Sequence, residues 1–569
     1  MVYYFCSVIS STSNLYLCTK HSCNAMQKLL TLFFCLIGLQ LSAQTTLPSV
    51  QEVYKIFQNK CTSCHSGATP AGGLDLVGTG ATELLRAQNV ATKLVNVNPA
   101  NAFAASQGYK RIYPGRADRS FLFRKINRGL EPTIGALHAN EGSEMPKDFP
   151  ANALSDLEKE IIRQWILFGA KSTGTLFSKS VVETFYNVGG EKSFPDGPPP
   201  GPAPGEGFQI KMGPFFLAPD GEVEYYQKWE LTLPEDVEVN GIDFKISPFS
   251  HHFLLYNFTG NGANSIPAGL RLNANHNQIN LVAAVQEATD LRLPGKTAFK
   301  WDNNLVLDLN SHYINYSLTK PYQCEAYVNV YTQPTGTADQ EMFAALLVNP
   351  QIPIPNSGDL VTHTKSEFEL GADSIYIWGL MGHTHKYGRG YKVWKRQPNG
   401  QKGDLIYDAS CSMGVPGCGS PWYDYQHIPI RYWEPLLPIK WGNGLIHEAQ
   451  WVNEGPAPVN FGPTSDDEMM VLIAFYTEQP LTVDTEEPKQ LEDTQTITVT
   501  PNPVNGTATF TLQDNVSSAY EFRLMDMTGQ VVLRQSDLQG NIFEIDLTQI
   551  LPGFYVFEVD GRIGKLLKM

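Results

Sequence analysis

The sequence has few charged residues for its length. Only 17% of its 569 residues are charged, and acidic residues outnumber basic ones by 57 to 42, which gives a net charge of −15. A coiled coil or a disordered chain would need far more charge. The acidic excess argues against binding to nucleic acid or to an anionic membrane surface. The 48 glycines and 38 prolines favour β-rich, loop-rich globular domains, three or four at this length.

Cysteine is also scarce, and much of it lies at the start of the chain. Four of the nine cysteines precede the apolar run 29–41 or lie within it. This run follows Lys28 and leads into a small-residue cleavage site, Leu-Ser-Ala at 41–43, which is typical of a secretory signal peptide. The run is too short for a convincing membrane span. Residues 1–25 precede this signal, so we expect the true start at Met26, with an extended signal or anchor as the alternative.

Five cysteines remain after residue 43. Cys411 and Cys418 are close in sequence and could form a local disulfide in an oxidising compartment. Cys324 has no obvious partner. The last two, Cys61 and Cys64, belong to the most informative short motif in the chain.

Residues 61–65 read Cys-Thr-Ser-Cys-His, the attachment pattern of a c-type haem. Cys61 and Cys64 would form thioether bonds to the haem, and His65 would bind the iron from one face. The alternatives are a redox C-x-x-C and a zinc half-site. Zinc would need a second ligand pair, and the sequence after residue 43 contains no second C-x-x-C or C-x-x-H. The motif therefore predicts one covalently bound haem.

Two helices and a methionine complete this prediction. Apolar residues at helical spacing precede Cys61, and Ser155 with Glu158 forms a capping box before a second apolar stripe. Between them, Met145 lies in a Gly-Ser-Glu-Met-Pro loop. A thioether suits haem iron, so Met145 is the expected second iron ligand, with His138 as its rival.

The rest of the chain reads as β-structure. The Pro/Gly-rich stretch 196–205 indicates an extended linker, and short alternating segments from about 209 to 478 predict antiparallel strands. We predict a multidomain protein with an α-helical cytochrome c domain, two tandem antiparallel β-sandwiches and a small C-terminal β-sandwich. The expected segments begin with the signal peptide at 1–43, the haem domain at 44–171 and a linker at 172–206. The first and second β-sandwich domains follow at 207–345 and 346–480, then an acidic linker at 481–495 and the tail at 496–569.

Several histidines in the β-rich part have the spacing of metal ligands. His383 and His385 form H-x-H, and alternate residues of a strand face the same side. His251 and His252 are adjacent, so both could bind one ion only at a bulge or strand end, which Pro248 just upstream makes plausible. Taken singly, each histidine is more often structural than a ligand.

Two further residues extend this set. His312 follows an apolar stretch, and Met469 follows an acidic Asp-Asp-Glu run. Imidazole together with thioether favours copper over zinc. From about 209 to 478 the chain resembles the copper type II, ascorbate-dependent monooxygenases, which include peptidylglycine α-hydroxylating monooxygenase and dopamine β-monooxygenase. The segments that carry the resemblance, in order, are 214–217, 251–252, 312–313, 383–385 and 467–469.

The resemblance implies two β-sandwich domains, each with one copper ion, facing each other across an open cleft. It assigns an electron-storing copper to the first three histidines. It assigns the copper that binds O₂ and substrate, and with it the catalytic role, to the H-x-H pair and the methionine. The two implied ligand sets are His251, His252 and His312, and His383, His385 and Met469.

The chain departs from the family where the peptide-processing enzyme binds its substrate's carboxylate. The family's Arg two residues before H-x-H is Met381 here, and its Asn and Tyr after the ligand Met are Val471 and Ile473. We therefore expect a substrate that is less polar than a glycine-extended peptide. Four further histidines of the β-rich part fall outside the matched positions and are read as structural or surface residues: His276, His363, His427 and His447.

The last segment resembles the C-terminal sorting domain of the type IX secretion system. Thr-Pro-Asn-Pro at 500–503, a turn at Gly529, Gly-Phe-Tyr at 553–555 and a Lys-containing end carry the likeness. It implies a Bacteroidetes-type bacterium, export through the periplasm, a secreted or cell-surface location and contact with the secretion machinery. The alternative is an ordinary β-sandwich binding module.

Together these features predict a secreted copper monooxygenase. It would hydroxylate an unidentified, non-peptide small organic substrate with O₂, using two copper ions. Its electrons would be supplied or relayed by the fused haem and would come from an external reductant, ascorbate or a redox protein. A non-catalytic surface electron-transfer or copper-binding protein is the second hypothesis, and a redox sensor is the third. Met469 favours catalysis, because a storage site has little need of a weak thioether ligand.

Overall fold

The computed structural model describes residues 47–275, 277–367, 374–410, 423–440, 442–462, 464, 466–481, 497–512, 519–526, 531–559 and 562–569. The predicted signal segment, His276, the Cys411–Cys418 pair, the turn at Gly529 and nearly all of the acidic linker lie outside these residues. The chain forms two compact units, one ending at Leu481 and the other beginning at Thr482.

The first unit begins with helices. They are α1 Ser49–Lys60, α2 Glu83–Leu94, α3 Ala102–Ser106, α4 Phe121–Ile126, α5 Asp156–Leu167 and α6 Lys179–Asn187, with short 3₁₀ turns at Ala71–Gly73, Pro132–Ile134 and Ala139–Glu141. The capping box predicted at Ser155 and Glu158 is confirmed at the start of α5. In the described part of the chain, no helix combines the length and the apolar character that a membrane crossing needs.

The apolar stripes of α1, α2 and α5 meet in one core. The stripe predicted for α1 is buried, and Trp165 of α5 lies at the centre with 1% of its surface exposed. Burial of these faces supplies most of the helices' stability, because helices of 12 residues are marginal in water on their own.

Strands follow the helices. The first group is β1 Glu191–Lys192, β2 Gly207–Leu217, β3 Glu222–Glu230, β4 Val237–Lys245, β5 Ser250–Phe258, β6 Leu270–Arg271, β7 Ile279–Val285, β8 Thr289–Arg292, β9 Thr297–Trp301, β10 Val306–Ile314, β11 Tyr322–Gln333 and β12 Gln340–Glu341. The second group is β13 Phe343–Val348, β14 Leu360–Glu367, β15 Ser374–His383, β16 Gly388–Arg396, β17 Lys402–Asp408, β18 Arg431–Lys440, β19 Leu445–Val452 and β20 Val471–Thr477.

The strands form two pairs of sheets. The first pair joins a seven-stranded sheet, β1-β11-β4-β9-β12 with β2 on β11 and β8 on β4, to a sheet ordered β6-β3-β10-β5-β7. Phe244 and Phe253 pack between them at 5.9 Å. The second pair has the orders β13-β20-β15-β18 and β14-β19-β16-β17. Mostly antiparallel sheets packed in this way are consistent with β-sandwich domains.

Two features differ from the predicted segments. Helix α6 lies within 172–206, which the sequence indicated as linker, and its Phe185 packs edge-on against Phe216 of β2 at 5.0 Å. Val182 and Phe185 are one helical turn apart and both buried, which is the signal that the neighbouring prolines obscured. Strand β13 crosses the predicted boundary at 345, because its pairing with β20 places it wholly in the second sheet pair.

A buried ionic cluster joins the helices to the first sheet pair. Arg163 of α5 contacts Glu160 and lies 2.8 Å from Glu131, and Glu131 also meets Lys211 of β2. Lys211 lies 2.9 Å from Glu325 of β11. Cations and carboxylates thus alternate across the junction, and each charged group of the cluster has a partner of opposite sign.

The second unit contains its own small β-structure. Its strands are β21 Ile497–Thr500, β22 Thr507–Leu512, β23 Tyr520–Met525, β24 Val531–Leu538, β25 Ile542–Asp546, β26 Gly553–Val559 and β27 Arg562–Lys568. The sheets β21-β22-β25 and β24-β23-β26-β27 face each other, with Phe510 and Phe522 in contact at 4.9 Å.

Replacing Arg163 should destabilise the junction strongly. Arg163→Met leaves the buried carboxylates of Glu131 and Glu160 with less compensation, so we expect the free energy of unfolding to fall by about 3–5 kcal/mol. Urea unfolding followed by circular dichroism of the helices measures this. The control Lys320→Met removes an exposed pair with Glu191 at 3.7 Å and should cost less than about 1 kcal/mol. Equal losses in both variants would contradict the assigned importance of the cluster.

Candidate functional site

The helical region encloses a cavity of about 410 Å³ at the predicted haem motif. Cys61, Cys64, His65 and Met145 all line it, although 80 residues separate the last two in sequence. Most of the other lining is apolar, from Phe57, Leu74, Leu76, Ile126 and Ile162 among others. Its volume is within the range of sites that bind cofactor-sized ligands.

Hydrogen bonds fix both candidate iron ligands. The Nδ1 atom of His65 lies 3.2 Å from the carbonyl oxygen of Leu74, a contact that orients the ring and leaves Nε2 for a metal. The Met145 backbone N–H donates to the Lys125 carbonyl at 2.7 Å. His138, the rival ligand, stacks on Phe103 at 4.5 Å and is not part of the cavity lining.

The state of Cys61 bears on the redox alternative. Burial, assisted by the nearby Glu158, raises the pKa of the Cys61 thiol to about 12. A thiol–disulfide enzyme needs a thiolate with a lowered pKa. The local environment therefore does not favour a redox C-x-x-C.

The structure brings five of the predicted metal ligands into one buried cluster. They form two groups of three, His251, His252 and His312, and His251, His383 and His385, each with ligand atoms within 4.8 Å of one another. His251 belongs to both groups. None of the five residues is more than 9% exposed.

A bulge allows the adjacent pair to act together. His252 of β5 pairs with His312 of β10, and the next pairing joins Ser250 to Tyr313, so His251 is left out of the ladder. An extra residue of this kind turns its side chain out of the normal alternation. The irregularity predicted for this position is present.

Two glutamates of β3 hold the histidines of the first group. His252 Nε2 lies 3.2 Å from Glu224 Oε1, and His312 Nε2 lies 2.7 Å from Glu222 Oε1. The Nδ1 atoms of both rings and the Nε2 atom of His251 are buried and have no hydrogen-bond partner among the described residues. A ring with one nitrogen tied to a carboxylate and the other unpaired is the arrangement of metal-ligating histidine.

The two further histidines of the second group, His383 and His385, are oriented by residues from different sheet pairs. His385 Nδ1 lies 3.1 Å from the Asp467 carbonyl oxygen, while its buried Nε2 has no partner in the described structure. His383 Nδ1 lies 3.1 Å from the side-chain amide of Gln286, which follows β7 in the first sheet pair. The Gln286 contact therefore crosses between the two sheet pairs.

Glu468 connects the H-x-H segment to the segment of Met469. Its buried carboxylate accepts backbone N–H groups of His385 at 2.8 Å and Tyr387 at 2.7 Å, and the indole N–H of Trp451 at 2.8 Å. Met469 follows directly and is half-buried against the core. The predicted thioether ligand thus belongs to the same short segment that orients His385.

Burial controls the charge of the cluster. Burial and then the neighbouring imidazoles lower the pKa of His251 to about 2, and burial lowers that of His385 to about 4. The pKa values of His252 and His383 are lowered by burial as well. Burial alone would raise the pKa of Glu224, but the hydrogen bond with His252 outweighs it and lowers that pKa to about 2. These four imidazoles, of His251, His252, His383 and His385, are therefore neutral at neutral pH, the state that binds metal.

The spacing of the two groups differs from the open cleft that the family resemblance implies. The rings of His251 and His385 have centroids 5.7 Å apart, and those of His252 and His383 are 6.0 Å apart. In this structure the two sheet pairs therefore close over one shared cluster.

The substituted clamp positions lie beside this cluster. Met381 pairs with Ile473, and His383 pairs with Val471, across β15 and β20. Met381, Val471 and Ile473 are all buried. The other described histidines fit their predicted structural or surface roles: His447 is buried and bonded to Tyr391, whereas His363 and His427 have polar partners at exposed contacts.

Sequence reasoning missed the residues that orient the ligands. Glu222 and Glu224 alternate along a strand, and a polar pair on one strand face could have suggested partners for histidine. Glu468 stood next to a predicted ligand, but nothing in the sequence showed that it is buried. Gln286 gave no signal, because its partner His383 is 97 residues away.

Comparison with known proteins identifies the tail. Residues 498–568 match the family described as the secretion system C-terminal sorting domain. The protein is therefore exported by the type IX machinery and is secreted or attached to the surface of a Bacteroidetes-type bacterium, as predicted. No curated protein matches the chain.

Similarities to solved structures are slight. The STIV MCP is 9% identical with a TM-score of 0.22, covering 48% of this chain and 97% of that one. A β-glucuronidase of Faecalibacterium prausnitzii is 11% identical with a TM-score of 0.11, covering 37% and 36%. The PBSX exported protein XepA is 9% identical with a TM-score of 0.13, covering 47% and 86%. Scores this low carry no argument about function.

Acid should destabilise the metal-free protein through the histidine cluster. His251, His252, His383 and His385 have lowered pKa values in the fold, so below pH 6.5 the unfolded chain binds protons that the folded cluster does not. Stability should fall as the pH drops from 6.5 towards about 4, by up to about 1.4 kcal/mol per pH unit for each imidazole.

Urea unfolding at several pH values measures this slope. His383→Gln should reduce the slope, and His427→Gln, at an exposed site outside the cluster, should leave it unchanged. A wild-type stability that rises on acidification over this range would contradict the prediction.

Proposed function

We propose that this protein is a secreted copper monooxygenase that hydroxylates a small, weakly polar organic substrate with O₂. The observation that carries the proposal is the buried cluster of five histidines, four of which have a buried ring nitrogen without a hydrogen-bond partner among the described residues. Hydroxylation of a C–H bond by O₂ consumes two electrons and two protons and yields an alcohol and water. The protein must therefore bind a redox metal and receive electrons from outside.

The donor set fits copper. His251, His252 and His312 would hold one ion, and His383 and His385 with Met469 would hold the other. Copper bound at these residues would supply one-electron redox chemistry and a place for O₂. The chain's own contribution is to orient the rings through Glu222, Glu224 and Asp467 and to exclude water. Burial also keeps the imidazoles of His251, His252, His383 and His385 neutral.

The cavity in the helical region fits a haem. Cys61 and Cys64 would bind it covalently, and His65 and Met145 would hold the iron from its two faces. Haem bound there would supply a one-electron carrier whose potential the thioether raises. The helical region would then be a cytochrome c domain that passes electrons from ascorbate or a redox protein.

The buried clamp positions support a weakly polar substrate. Met381, Val471 and Ile473 offer no charge or hydrogen bond to a carboxylate near the H-x-H pair. Glycine-extended peptides should therefore be poor substrates.

One observation favours a second candidate function. The two ligand groups share His251, which leaves little space between the sheet pairs for a substrate in this arrangement. A surface electron-transfer or copper-binding protein without catalysis would need no such space.

Replacing Met469 separates these functions. In an enzyme, Met469→Ile removes the thioether and should abolish O₂ uptake coupled to product in the copper-loaded, ascorbate-reduced protein, while the histidines still bind copper. Met470→Leu changes the adjacent buried methionine and should keep activity. Wild-type O₂ uptake without product, unchanged in Met469→Ile, would overturn the enzyme proposal.

Replacing Met145 tests the haem assignment. Met145→Ala should lower the haem reduction potential, because the thioether stabilises the ferrous iron, and should slow copper reduction in stopped-flow experiments. His138→Ala, which changes the rival ligand, should leave the potential unchanged. The opposite pattern in spectroelectrochemical titration would show that His138 is the ligand.

A further inference from the structure

One strand contacts both candidate sites. Strand β3 points Glu222 and Glu224 towards the histidine cluster, where they bind His312 and His252. Successive side chains of a strand point to opposite faces. The odd-numbered residues of β3 therefore face away from the histidine cluster, and they contact the helical region at residues 49–171. These are Tyr225 against Phe168, Gln227 against Gly115 and Trp229 against Arg116.

The contact at Gln227 continues to the wall of the cavity. The buried Gln227 side-chain amide donates to the Gly115 carbonyl at 2.9 Å, and the Gly115 N–H donates to the Ile166 carbonyl at 2.7 Å. Ile166 belongs to α5, one turn after Ile162, which lines the cavity. Hydrogen bonds and one helical turn thus connect the cavity wall to β3.

This junction is tightly built. The guanidinium of Arg116 lies 3.5 Å from the ring centroid of Trp229, and the Tyr113 hydroxyl donates to Glu230 at 2.5 Å. Gly115 has a φ of +79°, and a Cβ atom there would lie 2.7 Å from the Gly269 nitrogen. Only glycine permits both this backbone conformation and this close approach.

From these contacts we infer that the helical region is a fixed electron donor to the His251, His252 and His312 group, and that Gly115 and Gln227 form the connection. This inference rests on the proposed function. Glu224 and Gln227 are three residues apart on β3, about 10 Å along the strand. The contacts between β3 and the helical region set the distance from that region to the histidine group. The Pro/Gly-rich linker does not set it.

The electron balance is simple. A haem held by Cys61, Cys64, His65 and Met145 would give up one electron as its iron passes from ferrous to ferric. A copper ion held by the His251, His252 and His312 group would take that electron up, passing from Cu(II) to Cu(I). An external one-electron reductant, ascorbate or a reduced redox protein, would then reduce the haem again. Gln227 and Gly115 are positioning residues in this step, since neither touches a reacting atom.

A cofactor-independent experiment tests the docking. A protease site inserted at the exposed Gly197 turn allows the linker to be cut in the intact, purified protein. The two fragments should co-elute in size-exclusion chromatography after cleavage. Separation of the fragments would overturn a fixed donor, because only the tether would then hold the helical region.

A kinetic experiment tests the connection. Protein with reduced haem and Cu(II) is followed by the haem absorbance in the absence of O₂. Reoxidation should be first-order with a rate constant independent of protein concentration. Gln227→Leu should slow it several-fold with unchanged haem potential and copper affinity, whereas Gln209→Leu, which loses a similar amide contact to the linker carbonyl of Pro199, should not.

The outcomes separate this inference from the proposed function. A reoxidation rate proportional to protein concentration, or an unchanged rate in Gln227→Leu, overturns the connection alone if the same samples still hydroxylate substrate with ascorbate. A protein that binds no copper in titration overturns both. Potentials and copper affinities that change together with the rate would show that Gln227 is merely structural, and would also overturn the connection.

Discussion

The arrangement of the candidate metal site depends on one buried carboxylate. Glu468 receives N–H groups from the end of the H-x-H segment and from Trp451 of β19, so it joins three parts of the second sheet pair at a single point. A buried carboxylate is tolerated only when such donors satisfy it. Because Asp467 and Met469 are its neighbours in sequence, the same bonds determine where the carbonyl that orients His385 and the predicted thioether ligand lie.

The first sheet pair orients its histidine rings in a different way. There the ligands lie on paired strands, and β3 offers carboxylates to them across the ladder. The bulge at His251 lets two successive residues share one side of a sheet. Ring orientation in this group comes from strand register, whereas in the second group it comes from a short irregular segment held at its centre.

Local patterns predicted local structure well here. The C-x-x-C-H motif follows a helix and the capping box begins one, as expected. Of the H-x-H pair only His383 lies on a strand, because β15 ends there and His385 is in the segment beyond it. Sequence could not show the partners that lie far along the chain, such as Gln286 for His383 or Gly115 for Gln227. Helix α6 was missed because prolines nearby outweighed two apolar positions. The closeness of the two histidine groups depends on how whole sheet pairs pack, which no local pattern encodes.

The shared position of His251 has a consequence for metal loading. Its unpaired Nε2 carries one lone pair, so the first ion to take it leaves the other group with only two imidazoles. A second ion beside an occupied first group would therefore depend on Met469 to join His383 and His385. The single nitrogen of His251 thus makes the thioether, rather than a third imidazole, the residue that decides whether both places can be filled together.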